Sequence, residues 1–291
     1  MLERLPHDLI VLIVDLALPP LTSRTGSRRR FEAGRLSLIH SSWTPPAQAA
    51  LFKHLRITLP TSAAARTRLE RRLDVATRDG WTIQSLDLIA PGNEDDDLED
   101  VFQAHLRHLS FYANYGSHPH AQPFTFSSFP STLTRLALYH LTLTPTPVPA
   151  VFPYLTSLIL ADVCLDRHAP ASLRWSDFPS LRSLAYNGRS PWDCSVDLRH
   201  APSTLEHVLV RVTAPHLGEA EHMLRLLEKR EDPLRLESVT WYSPRPLEQE
   251  WHAHVVEDVK ERCWARGTRF IFREKPFEGF DYEAWAENVD S

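Results

Sequence analysis

One pattern, apolar-x-x-apolar-x-apolar, constrains the fold of this 291-residue chain more than any other feature. It reads IQSLDL from Ile83, LRHLSF from Leu106, LTRLAL from Leu133, LTSLIL from Leu155, LRSLAY from Leu181, LEHVLV from Leu205 and LESVTW from Leu236. The starts lie 23, 27, 22, 26, 24 and 31 residues apart. The fourth and sixth positions point to one side of a strand, and the positions between them point to the other. A unit of this size cannot bury its apolar side alone, so neighbouring units must stack. Stacking keeps the inward positions apolar and leaves the outward ones free to vary. Each unit returns the chain to the same edge, which makes the strands parallel. The prolines in FPST, FPYL, FPSL, APST and DPLR fall three residues or fewer before the first apolar position, where they end the returning segment. Phe129, Phe152 and Phe178 are expected to fill the core at that corner. An all-β sandwich would place strands every 8 to 12 residues, less than half the spacing seen.

The pattern and its period resemble leucine-rich repeats. The resemblance implies an α/β chain whose residues 58–275 form an irregular leucine-rich-repeat solenoid of about seven strands in one curved parallel sheet. A capping helix from Leu247 carries Trp251, Val255, Val259 and Cys263 on one stripe, and a short strand at Arg269 to Phe272 follows it. Residues 276–291 are set apart as a C-terminal tail. Further helices are expected from Ser62 to Gly80 and around Met223, Leu224 and Leu227, with loops or single turns at PTPVP and HAPASLRW.

Composition narrows the function classes. With 32 basic and 37 acidic side chains, a net of −5, the chain has no global attraction for nucleic acid, and Arg28 to Arg30 form its one dense basic run. Three cysteines, Cys164, Cys194 and Cys263, make neither a CxxC pair nor a disulfide framework. Glu3, His7, Asp8 and Asp15 interrupt the apolar start, so no signal peptide is expected, and no window approaches a membrane span. We expect an intracellular protein, cytoplasmic or nuclear, that binds no membrane. The 23 prolines against 9 glycines indicate many junctions between short elements.

Residues 1–57 break the period and read as a separate three-helix module. LERLPHDLIVLIVDLAL gives a helix after Pro6 with Leu9, Ile10, Ile13 and Leu16 on one face. A polar insert, TSRTGSRRR, follows. A second helix lies around Leu36 and Ile39, with a break at Pro45 and Pro46 before a third helix containing Ala49, Leu51 and Phe52. This order resembles an F-box: Leu5, Pro6, Leu9 and Ile13 match its opening, Leu36, Ile39, Ser42 and Trp43 its middle, and Leu51 and Phe52 its end. An F-box followed by leucine-rich repeats implies the substrate receptor of an SCF-type cullin-RING ubiquitin ligase. The module would dock a Skp-family adaptor through Leu5, Pro6, Leu9, Ile13 and Trp43, and the repeats would hold the target protein.

The outward strand positions on the concave face supply the expected substrate contacts: His108, Tyr112, Arg135, Tyr139, Asn187, Arg211 and Tyr242. The mixture is aromatic and basic and nearly free of acids, which suits an acidic or phosphorylated partner segment, with Arg135 and Arg211 as charge anchors and Tyr112 and Tyr139 as apolar contacts. No cofactor, metal or catalytic residue is expected. His118 and His120 lack a Cys or carboxylate at ligand spacing, and His252 and His254 do not share a helix face. NEDDDLEDV at 93 to 101 lacks the glycine and terminal glutamate of a calcium loop. GxSxG, GxGxxG, GxxxxGK[ST] and HExxH are all missing. The rival readings are a non-catalytic leucine-rich scaffold without a ubiquitin link and, third, a hydrolase.

Overall fold

The computed structural model describes residues 5–19, 26–58, 83–91, 106–114, 125–143, 150–165, 173–188, 198–211, 236–243, 250–274 and 281–289, with isolated positions 67, 71 and 78. The expected helices from Ser62 and around Met223 lie outside these residues, apart from those isolated positions. The chain is α/β with a single open parallel sheet. Its strands run β1 (His54–Thr58), β2 (Ser85–Pro91), β3 (His108–Asn114), β4 (Arg135–Tyr139), β6 (Ser157–Leu165), β7 (Ser183–Gly188), β8 (His207–Arg211), β9 (Ser238–Ser243) and β10 (Arg269–Glu274), each parallel to the next. A short β5 (Thr142–Leu143) pairs β6 alone.

Every strand of the recurring pattern forms, and the register aligns equivalent positions from one to the next. Leu86, Leu109, Leu136, Leu158, Leu184, Val208 and Val239 make one row of pairs, and Leu88 through Trp241 make the second. Both rows lie in one continuous core with the leading leucines Leu106, Leu133, Leu155, Leu181 and Leu205. The turn before four of these strands is closed the same way: Leu133 N–H donates to the Pro130 carbonyl, Leu155 to Phe152, Leu181 to Phe178 and Leu205 to Pro202. The second position of each unit then donates to its counterpart one unit back, as from Thr156 to Thr134 at 2.8 Å, Arg182 to Thr156 at 2.8 Å and Glu206 to Arg182 at 2.8 Å. Backbone pairing thus begins ahead of the strands proper. The corner phenylalanines fill the core as expected. Phe152 and Phe178 stack at 5.6 Å, and Phe126, unforeseen in this role, meets Phe178 edge-on at 5.1 Å.

The far end is closed by α4 (Glu250–Trp264), whose Val259 and Cys263 enter the same core while Val255 packs against it. Gly267, at φ +73°, ends this helix. Its N–H reaches the Trp264 carbonyl at 2.9 Å and the Thr268 N–H reaches Cys263 at 2.9 Å, the paired bonds of a Schellman turn that favours glycine at this φ. Trp241 then meets Phe270 of β10 edge-on at 5.4 Å.

The amino-terminal helices are α1 (His7–Ala17), α2 (Gly26–Ser37) and α3 (Thr44–Phe52). Three boundaries differ from the sequence reading, the first being that α2 ends at Ser37, so that Ile39, expected on it, lies beyond the helix. The second half of the polar insert, from Gly26, starts α2, because Gly26 stands at the helix start, where it costs little, and the arginines after it are good helix formers. Pro45 and Pro46 sit in the first turn of α3 instead of breaking the chain before it, which proline tolerates because those N–H groups have no helical acceptor. The strand β1 was also unforeseen. Lys53 joins this module to the sheet: its carbonyl accepts the N–H groups of Gln84 and Ser85, both at 2.9 Å, and its ammonium meets Asp15 of α1 at 2.9 Å. Among the described residues no helix is long and apolar enough to cross a membrane.

The residues set apart as a tail carry α5 (Tyr282–Val289). This helix packs back onto the sheet instead of extending beyond it.

Candidate functional site

Two surfaces bring together the residues singled out by the sequence. The first is α1. It is apolar on both sides: Ile10, Val14 and the following Leu18 enter the small core of the module with Ala33, Trp43, Ala47 and Ala50, while Leu9, Leu12, Ile13 and Leu16 face solvent. Those four lie at i, i+3, i+4 and i+7, one continuous stripe. Leu9 is 46% exposed, Leu12 52%, Ile13 37% and Leu16 77%. Pro6 is exposed at the helix start and Leu5 packs partly against the module core. Trp43 is a correction. It is buried at 4% exposure, so the indole is a core side chain and not a surface contact, and its Nε1–H has no acceptor among the described residues. Leu12 was missed because the spacing of Leu9, Ile10 and Ile13 suggested one apolar face where α1 has two.

The second surface is the sheet face opposite the main core. Here His108 pairs with Arg135 in register, Tyr112 with Tyr139, and Arg211 with Tyr242. The side chain of Tyr112 lies outside those described. The expectation that this face is open fails over its middle. Tyr139, Asn187 and Tyr242 are buried, as are Ala137, Ile159, Ala161, Ala185 and Leu209, and α5 covers the patch with Tyr282, Trp285 and Ala286. The physical reason is the smallness of the alanines, which leaves a trough that an aromatic helix face fills. His108, Arg135 and Arg211 remain partly exposed.

Polar contacts fix α5 in place. The Trp285 Nε1–H donates to Thr240 Oγ1 at 3.3 Å, and the Tyr139 hydroxyl donates to Glu283 Oε1 at 3.3 Å. Asp281 caps the helix by accepting the Ala284 N–H at 2.9 Å. Asn187 hydrogen-bonds the Tyr282 phenol, whose burial pushes its pKa far above the ordinary tyrosine range. Next to it sits Asp162, which sequence reasoning did not single out. Its carboxylate accepts from Asn187 Nδ2 at 2.9 Å and from Arg211 Nη1 at 3.2 Å, and lies 3.5 Å from His140 Nδ1. Both His140 and Asp162 have left-handed backbone, φ 56° and 54°, His140 just after β4 and Asp162 within β6, where the register against β7 shifts between Ala161 and Val163.

One more polar contact joins adjacent strands on this face. Ser238 Oγ lies 2.9 Å from His207 Nδ1, with Glu237 3.8 Å from the other ring nitrogen. Serine and imidazole are both buried, and the contact satisfies two polar groups between adjacent strands. Among the described residues no group of His, Cys, Asp or Glu is placed to hold a metal ion.

Among the expected contact residues whose side chains are described, His108 has a large titration change. Burial, and then the Arg135 guanidinium, push its pKa down from 6.5 to about 4. In the fold it therefore stays neutral until the pH approaches 4, whereas in the unfolded chain it takes up a proton near 6.5. The stability it contributes is complete above pH 6.5 and is lost as the pH falls toward 4. We expect a loss of about 2 kcal/mol across that window, allowing for partial solvent contact. Urea unfolding at pH 7 and pH 4.5 should show this loss in the wild type and a smaller one in His108→Gln; equal losses would remove His108 as the cause.

No protein-family model matches the chain, and no curated protein matches it.

Proposed function

We propose that this protein is a substrate receptor of an SCF-type ubiquitin ligase, with an F-box-like module at residues 1–57 that docks a Skp-family adaptor and leucine-rich repeats that hold a target protein. The observation that carries the reading is the second apolar stripe of α1. A helix apolar on both sides is ordinarily enclosed by protein, yet Leu9, Leu12, Ile13 and Leu16 are all exposed. Leu38 and Ile39, after α2, add exposures of 85% and 48%. A folded module that keeps this much apolar side chain outside is built to receive a partner. Behind it, the regular parallel strands supply a long surface and no described catalytic group. In this role the protein adds no chemistry and raises the local concentration of its target near the ubiquitin-charged enzyme.

Co-expression with a Skp-family adaptor and affinity purification tests the reading. The wild type is expected to retain the adaptor, and Leu9→Glu with Ile13→Glu to lower retention by more than about tenfold, because two charges would be buried at the centre of the contact. Both side chains are exposed, so the double variant should fold normally. A wild type that retains no adaptor, or a variant that retains it equally, would remove the ligase reading.

A further inference from the structure

We propose that the sheet face spanning β4 to β9 is a receptor trough for an acidic amphipathic helix, and that α5 is its tethered occupant, displaced when a partner presents a helix of the same pattern. In the ligase reading this is where the target is held, but the trough's affinity for a helix is a property of the sheet and stands or falls separately.

The trough has the character of a helix-binding groove. Its floor is apolar, with Ala137, Ala161 and Ala185 among Tyr139, Ile159 and Leu209, and α5 lays Tyr282, Trp285, Ala286 and the partly buried Val289 onto it at i, i+3, i+4 and i+7. That is the anchor spacing by which helical peptides are read in grooves. Orientation is set by polar contacts around this floor: Thr240 with the indole of Trp285, Asn187 with the phenol of Tyr282, and Tyr139 with Glu283. Charge matches as well. Residues 281–290 carry Asp281, Glu283, Glu287 and Asp290 and no Lys, Arg or His, whereas the face beneath carries Arg135 and Arg211, the latter shared with Asp162. The chain's own occupant is therefore an acidic, aromatic segment, the kind of ligand that the exposed chemistry of this face selects.

Displacement follows from the size of the occupant. An eight-residue helix is too short to be stable in water by itself, so α5 is helical only because the trough holds it. Its occupancy is an intramolecular equilibrium set by a tether, with an effective concentration on the order of millimolar. A partner helix wins by binding the trough more tightly or by gaining extra contacts on the strip at His108, Ser110 and Arg135 that α5 leaves partly exposed.

The test uses the full chain and a fluorescent peptide spanning residues 279–291. In the variant Tyr282→Ala, Trp285→Ala, the freed trough is expected to bind this peptide at least about tenfold more tightly than the wild type does. A peptide with Asp281, Glu283 and Glu287 changed to Lys, and a scrambled one, should lose that binding. Equal binding to both proteins, or equal binding of the scrambled peptide, overturns the proposal. If the variant fails to fold cooperatively, a protease site placed between Lys275 and Phe280 in the otherwise unaltered chain gives the same answer. After cleavage the tail should leave on dilution and be replaced by labelled peptide; a cleaved tail that neither dissociates nor exchanges marks α5 as a permanent part of the core. Adaptor retention, measured in parallel, reports on the ligase reading and is expected to stay unchanged in both arms.

Discussion

Phe178→Ala is expected to lower the unfolding free energy by about 4 kcal/mol, measured by urea denaturation at neutral pH. The ring is fully buried, stacked on Phe152 and met edge-on by Phe126, so its removal leaves a void that three consecutive units line. The backbone at this corner is fixed from both sides, by the Phe152 N–H to the Asp177 carbonyl at 2.7 Å and by the Leu181 N–H to Phe178 itself, so the site has little freedom to collapse. Tyr154→Ala in the same corner removes a comparable ring that is 59% exposed and should change stability by less than about 0.5 kcal/mol. A Phe178 variant as stable as the Tyr154 variant would show that the corner stack does not hold the units together.

The second expectation concerns Asp162. Asp162→Ala should cost about 3 kcal/mol, from two sources that a further substitution separates. The carboxylate is the shared acceptor of Asn187 and Arg211, and the Arg211 Nε is already buried with no acceptor among the described residues. Losing the carboxylate leaves that guanidinium short of its partner, and a hydrogen bond to a charged group contributes roughly 1.5 to 3 kcal/mol. Alanine at φ 54° adds about 1 kcal/mol of backbone strain. Asp162→Gly removes the same carboxylate without the strain, so it should be the milder of the two by about 1 kcal/mol. Thermal or urea unfolding of both variants checks the order. Equal losses would assign the whole effect to the carboxylate.

The parts of this fold legible in the sequence were those where one periodicity spoke alone. The leucines from Ile83 to Trp241 alternate strictly enough to set strand, face and register together. The stripe through Val255, Val259 and Cys263 defines α4. β1 was hidden because Phe52, Leu55 and Ile57 continue the apolar run of α3, so helix and strand periods overlap, although FKHLRI itself fits the recurring pattern. The covered face was hidden for a different reason. Outward positions were read as solvent-facing, yet Leu158 to Ala161 and Val208 to Val210 are unbroken apolar runs, the mark of a strand buried on both sides. The complementary signal stood in the tail, where Tyr282, Trp285, Ala286 and Val289 fall at helical spacing. The knot around Asp162 left no mark in the sequence, since it depends on three strands meeting.

The docking of α5 also orders events in time. The Tyr139 to Glu283 hydrogen bond joins residues 144 positions apart, while the strands it covers pair with neighbours one unit away. Strands β4 to β9 therefore form from local contacts as they emerge from the ribosome, but their second face stays bare until β10 has been made and residue 289 has left the exit tunnel. For that interval Ala137, Ile159, Ala185 and Leu209 present an apolar surface to solvent. The nascent chain is then most open to chaperones and to aggregation, and synthesis rate becomes a determinant of yield.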